Sequence, residues 1–108
     1  MPVSRGEVYL AAIPGQTKPR PAVVLTADWL SRYALDVTVV PLTSVARGGF
    51  PTRVELAAGE GGLQVRSYAK CDQVTTIPKA LLAGRPFGRL PAARMKGIED
   101  AVRLSLGI

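Results

Sequence analysis

The stretch KPRPAVVL, residues 18–25, places an arginine between two prolines, immediately before a run of apolar residues. The run Pro21–Ala27 is β-branched and bounded by proline and Asp28, which predicts a buried central strand. Proline fixes its own φ and biases the preceding residue toward extended geometry. Arg20 is therefore held at the entrance of a strand, directly after a loop that contains Lys18.

Further strands are predicted on both sides of this run. GEVYLAAIP, starting at Gly6, alternates Val8 and Leu10 with Glu7 and Tyr9, a period of two. DVTVVPLT, from Asp36, gives a third strand, in which Pro41 marks a bulge or the strand's end. The remaining expected strands are TRVEL, Ser67–Cys71 with Gln73–Ile77 as one strand bent at Asp72, and a short strand around Phe87–Leu90.

Helical segments are predicted between and after these strands. One helical turn is expected over Asp28–Tyr33, with Asp28 as the N-cap, and a short helix over Lys79–Ala83. After Pro91 the apolar residues recur at helical spacing, in the order Met95, Ile98, Val102 and Leu106. Gly107 ends this helix. Residues 1–108 are thus expected to form one mainly β domain, a small α+β unit whose strongly bent sheet or barrel is closed by a C-terminal α-helix.

Composition excludes several classes of protein. The chain of 108 residues is 47% hydrophobic, which is enough to bury a core. Its longest uncharged apolar runs are strand-sized, far below the ~20 residues that span a bilayer. The N-terminus has no apolar signal-peptide core, so a cytoplasmic protein is expected. Cys71 is the single cysteine and histidine is absent, which makes a structural zinc site or a Cys–His nucleophile untenable.

Charge points to an anionic partner. The formal net charge is +6, and the acidic residues are unevenly distributed. No acid lies between Glu7 and Asp28, where Lys18 and Arg20 occur. None lies between Asp36 and Glu55, where Arg47 and Arg53 occur. These two segments would form a basic face if the fold brings them together.

Polar residues at strand ends are the remaining candidates for chemistry. The sequence contains neither a phosphate-binding GxxxxGKS loop nor a paired-carboxylate spacing. The strand-end residues are Arg20, Thr43, Ser44, Lys70, Asp72 and Gln73. Each of these, taken alone, is more often a turn former or a local cap than a functional group.

Six motifs in order give these residues a context. They are RGEVYLA, RPAVVLT, VVPLTS, RVELAAGEGGL, KCDQVTTI and GRL ahead of the last helix. Over nearly its whole length the sequence resembles the MazF/Kid/PemK toxins of bacterial toxin–antitoxin systems. The resemblance implies a homodimeric SH3-like barrel that cuts single-stranded RNA within short motifs, without a metal or other cofactor. It also implies inhibition by a small acidic antitoxin that lies over the RNA groove.

The resemblance also assigns roles to residues. It places Arg20 and Thr43 at the scissile phosphate, and it implicates the basic residue and the aspartate of the KCDQ segment, Lys70 and Asp72. Asp72 would then accept a proton, the task that histidine performs elsewhere. The expected catalytic residues are Arg20, Thr43 and Asp72. The expected RNA-binding residues are Lys18, Ser44, Arg47, Arg53, Lys70 and Gln73.

One departure from the family keeps other functions open. The first loop is commonly longer in the family and carries a glutamate, whereas here only PGQTK separates Ile13 from Pro19. Gln16 cannot act as a carboxylate base. The alternatives are a noncatalytic RNA- or partner-binding module on the same barrel, and a CcdB-like toxin that poisons gyrase through a protein contact. The second would need gyrase-contacting residues on the C-terminal helix, which ends here at Leu106–Gly107–Ile108.

Overall fold

The strand that begins at Arg20 lies in the middle of an antiparallel sheet. A computed structural model describes residues 2–46, 48 and 50–108, and within them the sheet has seven strands. The strands are β1 (Glu7–Ala11), β2 (Arg20–Val24), β3 (Asp36–Thr43), β4 (Arg53–Leu56), β5 (Ser67–Lys70), β6 (Thr75–Pro78) and β7 (Leu82–Arg89). The helices are α1 (Asp28–Ser31) and α2 (Ala92–Leu106), with 3₁₀ turns at Glu60–Gly62 and Lys79–Leu81.

The order of the strands confirms the predicted fold class. The sheet runs β4-β5-β3-β2-β1-β7, and β6 pairs with β3 outside this path. β2 is central, as its apolar and β-branched composition predicts, and its neighbours β1 and β3 are both antiparallel to it. The chain is a small, mainly β unit that ends in a helix.

Both faces of the sheet carry a buried core. One cluster packs between the sheet and α2 and includes Val8, Val23 and Ile98. The other lies on the opposite face and includes Tyr9 and Val24. The alternation predicted in β1 therefore separates two buried faces rather than a buried face from a solvated one.

β3 changes partners halfway along its length, which corrects two predictions. Residues Asp36–Val39 pair with β6, and Leu42 and Thr43 pair with β5. The chain over residues 67–78 is thus two strands separated by a turn, not one bent strand. Pro41 neither ends β3 nor causes a bulge there: it pairs with Ala22 of β2. Its missing N–H is tolerated because it falls where the pairing passes from β6 to β5.

Three further local predictions were wrong. Ala27, not Asp28, is the N-cap of α1, because the Asp28 carboxylate accepts the backbone N–H of Arg5 at 2.7 Å instead of capping the helix. The short helix expected at Lys79–Ala83 is a 3₁₀ turn that ends at Leu81. The last strand starts at Leu82, five residues before its predicted position, because pairing with β1 extends it.

Helix α2 covers the sheet as its periodicity predicts, except at its end. Met95, Ile98 and Val102 are buried, whereas Leu106 is 58% exposed and does not belong to the buried stripe. Ser105 anchors the last turn by donating its hydroxyl to the carbonyl of Cys71 at 2.9 Å. Among the described residues, no helix is both long and apolar enough to cross a membrane.

The turn Glu60–Gly62 lies unusually close to β7. A Cβ atom on Gly62 would stand 2.1 Å from the carbonyl oxygen of Phe87, and one on Gly88 would stand 2.8 Å from the Gly61 backbone. Gly62 also has a φ of +76°, which favours glycine. Arg94 of α2 holds the same turn through an ion pair with Glu60 at 3.0 Å.

Candidate functional site

A groove of about 530 Å³ opens at the strand ends where Arg20 begins β2 and Thr43 ends β3. We call it the Arg20 groove. It is lined by Arg20, Pro21, Leu42, Thr43, Ser44, Gly62, Leu63, Gln64, Val65, Ser67 and Phe87. Three of the residues expected from the sequence, Arg20, Thr43 and Ser44, thus share one cavity.

The strand register explains why Arg20 and Thr43 meet. Ala22 is paired with Pro41. Continuing the antiparallel register by two residues sets Arg20 beside Thr43, with both side chains on one face because alternate residues share a face. The hydroxyl oxygen of Thr43 accepts the backbone N–H of Val45 at 3.1 Å, which orients it as a turn-forming threonine. Its O–H hydrogen remains available for donation to a ligand.

A second group of cations lies beside the groove on the same face. Arg53 and Lys70 are cross-strand partners in β4 and β5. Partial burial, then the nearby charges of Arg53 and Arg20, lower the pKa of the Lys70 ammonium, and Asp72 partly opposes this. Arg53 buries its Nε atom without a hydrogen-bond partner among the described residues. The two acid-poor segments of the sequence therefore do meet, through Arg20 and Arg53.

The other expected site residues surround this cluster. Asp72 and Gln73 are exposed in the turn after β5, where the Gln73 N–H donates to the Lys70 carbonyl at 2.9 Å. Neither residue lines the Arg20 groove. Lys18 is exposed in the loop before β2. Arg47 lies outside the residues that the structure describes.

Several groove and face residues were not predicted from the sequence. Gln64, Val65 and Phe87 line the Arg20 groove, and Tyr68 is the cross-strand partner of Thr43. Phe87 reaches the groove because β7 packs on the glycine-rich turn at Gly62. The alternation of β5 could have indicated Tyr68, since it lies two residues from Lys70 and so shares its face.

This arrangement suits a phosphodiester. A guanidinium remains charged at all physiological pH values and donates two parallel hydrogen bonds to phosphate oxygens. A hydroxyl donor beside it can stabilise a third oxygen or a departing alkoxide. Apolar and amide side chains across the groove offer surfaces for a nucleobase, so the cavity can hold the ligand's charged and flat parts together.

Comparison with known proteins agrees with this geometry. Residues 4–106 match the family model described as PemK-like, MazF-like toxin of type II toxin-antitoxin system. This chain belongs to the PemK/MazF toxin family.

Curated relatives and solved structures of PemK/MazF toxins extend the match. Endoribonuclease MazF9 of Mycobacterium tuberculosis is 36% identical over 94 residues, covering 82% of this chain and 79% of the relative. A probable endoribonuclease MazF of Mycolicibacterium smegmatis is 35% identical over 107 residues, covering 96% of each chain. The M. tuberculosis toxin MazF-mt6 superposes with a TM-score of 0.83 at 30% identity, covering 94% of this chain and 97% of that one.

A further similar solved structure is a complex of two proteins. It is an endoribonuclease in complex with its cognate antitoxin from a mycobacterial species, with a TM-score of 0.85 and 27% identity. The match covers 98% of this chain and 96% of that one. These findings do not favour the CcdB-like or noncatalytic alternatives.

Proposed function

We propose that this MazF-type endoribonuclease toxin cleaves single-stranded RNA within short sequence motifs, without a metal ion. The ribose 2′-hydroxyl attacks the adjacent phosphorus, the bond to the 5′-oxygen breaks, and the products carry a 2′,3′-cyclic phosphate and a 5′-hydroxyl. The 2′-hydroxyl proton must leave and the departing 5′-oxygen must gain a proton. We propose the cytoplasm, where mRNA is translated, as the place of this reaction.

Arg20 and Thr43 are the proposed groups at the scissile phosphate. Their shared position on the wall of the Arg20 groove is the observation that most supports the proposal. Arg20 stabilises the charge that grows on the phosphate oxygens, and Thr43 donates its O–H hydrogen to the same group. Ser44, also on the groove wall, binds a neighbouring part of the RNA backbone.

The residues of the second cluster extend RNA binding along the sheet face. Lys70 and Arg53 neutralise a further phosphate, and Gln73 offers an amide near that end of the site. Lys18 and Arg47 complete the proposed RNA-binding set from the sequence. Asp72 is proposed as the proton acceptor, and this role requires the attacking 2′-hydroxyl to lie toward the Lys70 end of the site.

Metal independence is proposed from the chemistry of the available donors. Within residues 2–46, 48 and 50–108, no three carboxylate or thiol side chains group closely enough to hold a metal ion. Arg20, Arg53 and Lys70 provide the positive charge that a metal would otherwise supply to phosphate oxygens.

The proposed partners follow from charge and family. A net charge of +6 favours fast association with an acidic protein, so we propose an acidic antitoxin that covers the Arg20 groove. A homodimer is also proposed, and light scattering of the purified protein measures its mass. A noncleavable oligonucleotide should displace the antitoxin's inhibitory segment; a stable ternary complex with unchanged affinities would contradict steric inhibition.

The test of function is cleavage of a mixed RNA in the presence of EDTA. The expected result is discrete cuts in single-stranded regions, 5′-hydroxyl ends that a kinase can label directly, and unchanged rates when EDTA is added. Duplex RNA of the same sequence serves as the control substrate. Loss of cleavage in EDTA, with recovery on adding Mg²⁺, would contradict the metal-independent mechanism.

A further inference from the structure

Tyr68 lies on the sheet face that also carries Lys70 and Arg53, and the proposed function does not use it. It is the cross-strand partner of Thr43 on one side and of Glu55 on the other. Directly opposed residues of antiparallel strands project to the same face, so Tyr68 shares a face with Thr43. Lys70, two residues along β5, projects to that face as well.

The side chain of Tyr68 has no evident structural task. It is only partly buried and belongs to neither hydrophobic cluster. Its hydroxyl makes no hydrogen bond with any residue that the structure describes. Tyr9, by contrast, is 1% exposed and packs in the buried cluster that contains Val24. The part of the Tyr68 side chain that remains exposed lies near the cations of this face and is accessible to a ligand that they attract.

We infer that Tyr68 is a specificity-determining residue whose ring stacks on a nucleobase next to the cleaved phosphate. This inference rests on the proposed RNA cleavage. Arg20 with Thr43 and Lys70 with Arg53 flank Tyr68, so an RNA backbone bound to both pairs brings a base over the ring. Single-stranded RNA is recognised largely by bases that stack on aromatic side chains. Because Tyr68 is the strand partner of Thr43, a base stacked on its ring lies at a fixed distance from the phosphate that Thr43 contacts.

The position predicts which part of activity depends on Tyr68. Stacking on an aromatic side chain contributes about 1–3 kcal/mol per base, equivalent to about a 5- to 150-fold change in affinity. The phenyl ring of phenylalanine stacks as well as that of tyrosine. Loss of the ring should therefore weaken RNA binding and relax the base preference beside the cut, while loss of the hydroxyl alone should do neither.

The experiment compares Tyr68→Ala with Tyr68→Phe, and uses Tyr33→Ala as the matched control. Tyr33 is 79% exposed and follows α1, beyond the end of β2 opposite Arg20. Cut sites in a mixed RNA are mapped by sequencing, and affinity is measured with a short oligonucleotide carrying a 2′-deoxy sugar at the cut. A second oligonucleotide, a uridine heptamer with 2-aminopurine at its centre, reports stacking by fluorescence quenching without needing cleavage.

Support would be a 5- to 150-fold loss of affinity and a broadened cut motif in Tyr68→Ala, with Tyr68→Phe and Tyr33→Ala like wild type. If wild type cleaves and Tyr68→Ala keeps both the motif and the affinity, the inference is overturned while the proposed function stands. If wild type does not cleave but quenches 2-aminopurine, and Tyr68→Ala does not, the stacking role stands and the nuclease proposal fails. Equal defects in Tyr68→Phe and Tyr68→Ala would also overturn stacking, since the ring is retained in the first.

Discussion

Replacing Arg20 with alanine should separate activity from stability. Arg20 is exposed at the first position of β2 and forms no ion pair with the described residues, so its removal should change the free energy of unfolding by no more than about 0.5 kcal/mol. Loss of a donor that stabilises an oxyanion costs about 10²–10³ in rate, or about 2.7–4 kcal/mol of transition-state stabilisation. Arg20→Lys should recover little of the lost cleavage activity, because an ammonium cannot donate two parallel hydrogen bonds to a phosphate as a guanidinium does.

The electrostatics of the site provide an independent readout of the same variant. Arg20 is one of the two cations that lower the pKa of Lys70. Arg20→Ala should therefore raise the pKa of Lys70 toward its ordinary value of 10.5. An NMR titration of side-chain-labelled lysines measures this shift, and no RNA is needed for it.

The assay is single-turnover cleavage of a mapped RNA site, with unfolding in urea measured in parallel. Arg32→Ala is the matched control, because Arg32 is also exposed but sits at the end of α1. We expect wild-type rates for Arg32→Ala and a loss of at least 100-fold for Arg20→Ala. Activity of Arg20→Ala within tenfold of wild type, or an equal loss in Arg32→Ala, would refute the assigned role.

Three further predictions concern Lys70, Cys71 and Gly62. RNA affinity should fall as pH rises through the lowered pKa of Lys70, and Lys70→Arg should shift that fall to higher pH; anisotropy titrations from pH 7 up to the ordinary lysine pKa of 10.5 that coincide for both proteins would contradict this. Burial raises the pKa of the Cys71 thiol from 9.0 to about 12, so the unfolded state ionises first and stability is lost as pH rises above 9. Relative to Cys71→Ala, wild type should lose about 1.4 kcal/mol between pH 8 and pH 10 in urea unfolding, and a constant difference would argue against a buried neutral thiol. Gly62→Ala should lower the free energy of unfolding by more than the ~1–2 kcal/mol of a left-handed alanine, because its Cβ also meets Phe87. Gly59→Ala, with a φ of +95° and open space, is the control that should show the backbone cost alone.

The sequence predicts the central elements of the fold because their signals are local. The β-branched run after Arg20 forms the central strand, and the helical spacing of Met95, Ile98 and Val102 marks the buried face of α2. The change of pairing partner along β3, from β6 to β5, could not be predicted from the sequence, because it depends on which distant strands reach each half of β3. Local sequence therefore predicts a bulge or a strand end at Pro41, although Pro41 lies where β3 changes partners and a missing donor costs little.

The candidate site was predictable only in part for the same reason. Arg20 and Thr43 stand out because strand ends and a stiff backbone position them. Phe87 and Tyr68 required the three-dimensional arrangement, since one depends on the contact of β7 with Gly62 and the other on the register of β5 against β3. Leu106 follows the helical repeat but extends past the sheet, so periodicity alone overestimates the length of the buried stripe.

The contact between Gly62 and β7 limits how the proposed RNA preference can diverge in this protein. At the rear wall of the groove, the backbone of the Gly62 turn contacts the backbone of β7 so closely that one added carbon would clash. The width of the groove is therefore fixed at this wall. Variation in RNA preference must therefore come from exposed side chains that line the groove beside this contact. A directed-evolution library selected for new cut sites should accordingly collect substitutions at the exposed Gln64 and Val65, and return glycine unchanged at positions 62 and 88.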